Sequence, residues 1–189
     1  LEDSAYGKEA KKIFNDANKM LDFIEENNIV DIKGVFGIFK ANSNGDNIEL
    51  YNKDKSLAAT FNLFREQRKK NKGPYLCLSD FIAPKEINKD DYLGGFIVTT
   101  GLKADEYAKK LEAEGDSYNA IMLKLVCDRL AEAFAEKLHE DIRKNYWGYA
   151  KDENLSMKEI FKASYRGIRP AFGYPSLIDQ SQMKILFNL

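Results

Sequence analysis

Ile32-Lys-Gly-Val-Phe-Gly-Ile-Phe-Lys-Ala-Asn-Ser-Asn-Gly-Asp-Asn-Ile-Glu-Leu-Tyr51 is the stretch that decides the fold class of this chain. From Ile32 to Ala41 it mixes β-branched and aromatic side chains with two interior glycines, a composition that suits a pleated strand. Asn42-Ser-Asn-Gly-Asp46 is then a strong turn signal, and Ile48 to Tyr51 supplies a return strand. Together they predict an antiparallel hairpin in which Gly45 provides a positive φ and Asp46 caps the turn. A ligand role for Asp46 is the alternative.

Helices are expected on both sides of this hairpin. Ala10, Ile13, Phe14, Ala17, Met20, Leu21 and Ile24 follow three-and-four spacing, which predicts an amphipathic helix over Gly7 to Asn27. A short helix is expected over Leu57 to Lys70, and the apolar segment Tyr75 to Ile82, closed by Pro84, reads as a strand. Tyr92 to Thr100 has the composition of a buried strand, in which Gly94 and Gly95 permit close backbone approach. The longest predicted helix runs from Ser117 to Tyr146, with Ile121, Leu125, Leu130, Phe134, Leu138 and Ile142 along one side. A last helix is expected over Ser156 to Ser164, with Ser156 as N-cap and Glu159 completing a capping box. The fold class is therefore α+β: mixed helices packed on an antiparallel sheet, with a long central helix. Residues 1 to 189 are read as a single domain.

Composition narrows the partners. With 29 basic and 30 acidic residues the net charge is -1, so no overall field favours nucleic acid or an anionic membrane. The densest basic run, Arg65 to Lys72, reads as a solvated helix end. No apolar stretch approaches the roughly 20 residues of a membrane span, and the chain is expected to be cytoplasmic. Cys77 and Cys127 lack CxxC spacing and read as free core thiols, and the single histidine, His139, reads as exposed and solvated. Neither GxGxxG nor GxxxxGK[ST] occurs, so no dinucleotide or P-loop site is signalled.

Chemistry concentrates in Tyr165-Arg-Gly-Ile-Arg-Pro-Ala-Phe-Gly-Tyr-Pro175, where two arginines, two glycines, two prolines and two tyrosines share eleven residues. Pro170 and Pro175 fix φ, and Gly167 and Gly173 open conformations closed to other residues, so an ordered irregular loop is expected. Arg169 offers a planar fork for a carboxylate or phosphate, and Tyr174 offers a flat face with a hydroxyl at its edge. A proline-rich connector with solvated arginines fits the same spacing. On the long helix Asp128, Glu132 and Glu136 recur every four residues, a pattern that by itself describes a solvated acidic stripe.

This loop resembles the RPAPGYP signature of the activation domain of cobalamin-dependent methionine synthase. The resemblance extends through Phe39-Lys-Ala-Asn-Ser-Asn-Gly-Asp46, Tyr75-Leu-Cys-Leu-Ser-Asp-Phe-Ile-Ala-Pro84, Asp91-Tyr-Leu-Gly-Gly-Phe-Ile-Val-Thr-Thr-Gly101, Asp128-Arg-Leu-Ala-Glu-Ala-Phe-Ala-Glu136 and Tyr146-Trp-Gly-Tyr149. It implies a domain that binds S-adenosylmethionine and supports reductive remethylation of cob(II)alamin in methionine biosynthesis. It also implies membership of a 5-methyltetrahydrofolate-homocysteine methyltransferase, with cobalamin bound by another domain of the same enzyme and electrons from a flavodoxin-like reductant. Position by position, the resemblance assigns S-adenosylmethionine binding to Arg169, Pro170, Ala171, Gly173 and Tyr174 of the loop, and to Glu132. It implies no catalytic residue and no metal ligand on this chain, because the reduced cobalt is itself the nucleophile and the protein supplies proximity and orientation.

Two positions depart from the family pattern. Phe172 stands where a proline is usual, and Ser176-Leu-Ile-Asp-Gln180 replaces a stretch that often carries cysteine and histidine, which argues against a metal or thiol role there. The Asp-Trp-Thr-Pro-Phe-Phe and Gly-Tyr-Tyr-Phe type segments of the family do not occur between Leu1 and Leu189, so the chain is expected to be the central portion of the domain, truncated at both ends and inactive alone. The alternative function is a non-catalytic ligand-binding or docking module that caps a corrinoid protein.

Overall fold

In the computed structural model, residues 6–189 are described. The elements in chain order are α1 (Gly7–Asn27), β1 (Lys33–Asn44), β2 (Asn47–Tyr51), β3 (Leu57–Phe61), β4 (Asp91–Thr99), α2 (Lys103–Ala113), α3 (Ser117–Asp141), α4 (Met157–Phe161) and α5 (Met183–Phe187). The strands form one antiparallel sheet in the order β3-β2-β1-β4, so the fold is α+β. The chain divides into two compact units, Leu1–Val35 with Ile97–Tyr146 and Phe36–Phe96 with Trp147–Leu189.

The expected hairpin is present. Asn44 pairs with Asn47, leaving Gly45 and Asp46 as a two-residue loop, and Gly45 sits at φ 59°, the positive value that a type II′ turn needs at its first loop position. Asp46 does not cap the turn. Its carboxylate accepts from Arg65 at 2.6 Å, because a guanidinium offers a charge-assisted bond that a neutral backbone amide does not match.

That arginine also explains two corrections. Leu57 to Lys70 is not a helix: Leu57–Phe61 pairs with β2, Ile48 opposite Phe61, and the chain beyond it is irregular. Arg65 forks onto both oxygens of Asp80 at 2.7 and 2.8 Å and donates to the Tyr75 carbonyl at 2.8 Å, drawing the run out of any helical path. The basic residues to Lys72 therefore decorate a loop rather than a helix end, with Glu66 buried beneath and paired to Lys70 and Arg68. Tyr75 to Ile82 is not a strand either. Asp80 accepts from the Cys77 amide at 2.9 Å and winds Leu78–Phe81 into a 3-10 turn, a local side-chain bond that displaces sheet pairing.

The first unit is built on α1, α2 and α3. Met20, Ile24, Ile29, Ala104, Ala108, Ala120, Leu123, Val126 and Cys127 form its buried core. α1 has the expected span, closed by Asn28 in the left-handed region at φ 51°. Of its apolar stripe, Met20 and Ile24 are buried, whereas Ile13 and Phe14 are exposed. α2 has no counterpart among the expected elements; small residues at Ala104 and Ala108 let it pack closely. On α3 the buried face runs through Ala120, Leu123 and Val126, so Ile121 and Leu125 of the expected stripe face outward. The helix passes at Ile142–Tyr146 into a π turn. His139 is buried, not solvated: Arg143, itself buried, donates to His139 Nδ1 at 2.6 Å, which assigns Nδ1 as the acceptor.

The second unit buries Ala41, Ile48, Leu50, Phe61, Leu63, Cys77, Leu78, Ile82 and Leu177. Both cysteines are free and buried, as expected. β4 is half-buried rather than buried, with Leu93 against this core. Polar contacts lock the segment after Ile82: Asn42 Nδ2 donates to the carbonyls of Ala83 and Lys89 at 3.0 and 2.8 Å, and Ser43 Oγ donates to that of Ile82 at 3.0 Å.

Glu49 on β2 generates a pH prediction. Lys85, Tyr51 and Asn44 all donate to its carboxylate and hold its pKa at about 2, against an ordinary value of 4.5. A depressed carboxyl contributes stability that is complete above the unfolded value and is lost as pH falls through the folded one. Glu49→Gln is therefore expected to reduce stability at pH 7 by on the order of 1 kcal/mol after solvent screening, and to leave the variant and the parent equally stable near pH 2. Denaturant titrations at the two pH values measure this.

Candidate functional site

The irregular segment following α4 is shaped residue by residue. Glu159 accepts from the Ser156 amide at 2.8 Å and from its hydroxyl at 2.6 Å, contacts that start α4 and hold the Glu159 carboxyl below its ordinary range. After α4 the chain leaves helical geometry at Ala163, φ 51°, and turns again at Gly167, φ 94°. Arg169 follows, its guanidinium carbon 6.0 Å from the centre of the Phe96 ring. An aromatic face at that range attracts the cation electrostatically.

Two consecutive turns complete the segment. In the first, the Tyr174 amide donates to the Ala171 carbonyl at 3.1 Å, and Gly173 occupies the third position at φ 98°, where a type II turn requires a positive value. In the second, the Leu177 amide donates to the Tyr174 carbonyl at 2.8 Å, with Pro175 in the position its fixed φ favours. The Gly173 amide donates back to the Leu177 carbonyl at 2.8 Å, closing the pair into a short antiparallel bridge.

Burial on either side gives this unit its orientation. Leu177 is in the core of the second unit, the Ser176 carbonyl accepts from the Leu78 amide at 2.9 Å, and Phe172 packs on the same core with its ring 6.4 Å from that of Phe61. Tyr174, between these anchors, is 62% exposed. Phe172 thus explains its departure from the family pattern: the apolar anchor takes over from the backbone restriction that a proline would give at this turn position. Ser176 to Gln180 is structural as well, since Asp179 accepts from the Ser181 amide at 2.8 Å and hydroxyl at 2.9 Å to begin a 3-10 turn.

Of the six expected site residues, Arg169, Pro170, Ala171, Gly173 and Tyr174 gather in this one ordered segment of the second unit. Glu132 lies on α3 in the first unit, 66% exposed, with its carboxylate 2.9 Å from Arg129. Phe96 was not among the expected residues. Its signal was period-two placement on β4 beside Gly94, but nothing in the sequence connects that face to Arg169. Among the described residues, no helix is long and apolar enough to cross a membrane.

Comparison with known proteins matches this geometry to a described domain. The profile of the family "Vitamin B12 dependent methionine synthase, activation domain" matches residues 1–189. A solved structure described as the MetH reactivation domain bound to AdoHcy superposes with a TM-score of 0.91 at 46% sequence identity. The match covers 100% of this chain and 59% of that one, so this chain spans about three-fifths of its solved relative.

The turn pair generates a stability prediction. An alanine at Gly173 would hold a Cβ at φ 98°, beyond the left-handed well open to L-residues, and 2.9 Å from Gln180 Nε2. At Gly45, φ 59°, an added Cβ meets nothing within 4 Å. Gly173→Ala is expected to destabilise the chain by about 2 kcal/mol and Gly45→Ala by about 1 kcal/mol. Thermal unfolding of the two variants beside the parent measures the order.

Proposed function

Because the chain belongs to the activation-domain family of vitamin B12-dependent methionine synthase, we propose that it is a reactivation module that binds S-adenosylmethionine through the loop from Arg169 to Tyr174. The observation that carries this reading is the closed turn pair, which buries Leu177, packs Phe172 against the same core and leaves Tyr174 exposed, in a segment whose Arg169 lies over the Phe96 ring. The donor set fits the ligand. S-adenosylmethionine has a carboxylate suited to a guanidinium fork, a flat adenine suited to a phenol face, and polar edges suited to backbone groups.

In this reading Arg169 pairs with the ligand carboxylate. Tyr174 and the backbone of Pro170, Ala171 and Gly173 support the adenosine end. The bound ligand supplies an electrophilic methyl group on its sulfonium. The chain contributes no base or nucleophile; it binds, orients and presents. The AdoHcy-bound relative supports the reading, since AdoHcy shares the carboxylate, ammonium and adenosine of the proposed ligand.

In the whole protein, a cytoplasmic 5-methyltetrahydrofolate-homocysteine methyltransferase, the module serves reductive remethylation of the cobalamin. Its partners there are the cobalamin-binding domain and a flavodoxin-like reductant, and residues 1–189 act as one functional domain.

Calorimetric titration with S-adenosylmethionine tests the proposal. The parent chain is expected to bind saturably, and Arg169→Ala to lose about 10- to 100-fold in affinity, the range of a hydrogen-bonded charge pair. Affinity retained within a factor of two removes Arg169 from the site. No binding by the parent favours a docking module that caps a corrinoid protein.

A further inference from the structure

The chain from Trp147 to Tyr149 contacts two places in the second unit that the ligand-binding reading leaves unexplained. Trp147 seats on β4 where a side chain is missing: a Cβ at Gly94 would lie 3.1 Å from Trp147 Cζ3. Gly148, at φ 73°, then turns the chain. Tyr149 comes back edge-on to Trp147, with ring centres 5.3 Å apart at 87°. From that support Tyr149 reaches the entry limb of the signature loop in three ways. Its hydroxyl donates to the Arg166 carbonyl at 3.2 Å, its ring lies 5.8 Å from the Arg166 guanidinium, and its hydroxyl lies 3.2 Å from where a Cβ at Gly167 would sit.

The strand beneath links this support to the proposed ligand contact. Gly94 and Phe96 are two residues apart on β4, so they point to one face of the sheet. Gly94 receives Trp147, and Phe96 faces Arg169. The limb from Arg166 to Arg169 is thus held at both ends against a single strand face, at Arg166 through Tyr149 and at Arg169 through Phe96. Between them Gly167, at φ 94°, is a point of backbone freedom that these contacts restrict.

We propose that Tyr149 is a positioning residue for the signature loop: braced by Trp147 on the bare face of Gly94, it fixes the Arg166–Gly167 backbone and so sets the direction in which Arg169 is presented. This rests on the reading of Arg169 as the group that binds the ligand carboxylate. Without the brace the loop keeps its turn pair, which has its own anchors at Phe172 and Leu177, but the Arg169 limb samples several orientations. Affinity then falls because the limb must be ordered on binding.

The test is Tyr149→Phe, which keeps the ring and removes the hydroxyl, beside Tyr149→Leu, which removes the ring face as well. Two measurements are made on each full chain: ¹⁵N relaxation order parameters, and calorimetric titration with S-adenosylmethionine. In the parent, the amides of Arg166, Gly167, Ile168 and Arg169 are expected near the rigid value of about 0.85, falling toward about 0.6 in Tyr149→Phe and further in Tyr149→Leu. Those of α3 and of the Gly173–Leu177 bridge are expected to stay unchanged. The hydroxyl bond is worth about fivefold in affinity, so Tyr149→Phe is expected to bind about fivefold more weakly. Unchanged order parameters from Arg166 to Arg169 in both variants overturn the proposal, as does a uniform loss of order through the whole unit, which marks a merely structural residue. If the parent shows no saturable binding, the ligand reading fails, while the order parameters still decide whether Tyr149 positions the loop.

Discussion

The hydrogen bond from the Gly173 amide to the Leu177 carbonyl, at 2.8 Å, is the contact on which the presentation of the candidate site depends. It closes two turns into one unit, and it forms only because Gly173 holds φ 98°. Once closed, the unit has a fixed inside and outside. Leu177 enters the core of the second unit, Phe172 packs against it, Ser176 takes the Leu78 amide, and Tyr174 is left on the surface. A connector without that closure would carry the same arginines and tyrosines with no common direction.

The loop in turn depends on residues well separated from it in sequence. Leu78 is available to Ser176 because Asp80 winds its neighbours into a 3-10 turn, and Asp80 is held there by the fork of Arg65. Arg65 also binds Asp46 beside the β1–β2 turn. A single guanidinium thereby ties the hairpin, the irregular chain from Tyr75 and, through Leu78, the Arg169–Leu177 loop. Such a multiply bonded arginine is costly to replace by lysine, whose ammonium cannot span two oxygens of one carboxylate and a second carboxylate in one plane.

What could be read from the sequence was local. The turn at Gly45, the helix end at Asn28 and the capping box of Ser156 and Glu159 each involve residues within a few positions of one another, and each stands as the sequence implied. The irregular, ordered character of Tyr165 to Pro175 was legible for the same reason: its glycines and prolines dictate their own backbone angles. The segment from Leu57 to Ile82 departs from its local sequence pattern because its shape is decided by Arg65, whose carboxylate partners lie 19 and 15 residues away. The burial of His139 is hidden in the sequence because its charged neighbours conceal a buried arginine partner one turn on, in a π turn that no residue pattern announces. On α3, apolar residues were placed correctly on a helix but on the wrong face at Ile121 and Leu125, since burial is decided by what packs against the helix. Spacing alone leaves Tyr165 to Pro175 open between a ligand loop and a solvated connector, and only the family resemblance singles out Arg169 and Tyr174 within it.

In the function proposed above, S-adenosylmethionine binds on this closed, anchored loop. The most direct measurement is a crystal structure of the 189-residue chain grown with S-adenosylmethionine. The expected result is ligand density with the carboxylate on the Arg169 guanidinium and the adenosine end along Ala171 to Tyr174, the turn pair unchanged. Ligand bound with Arg169 and Tyr174 both out of contact would contradict the account.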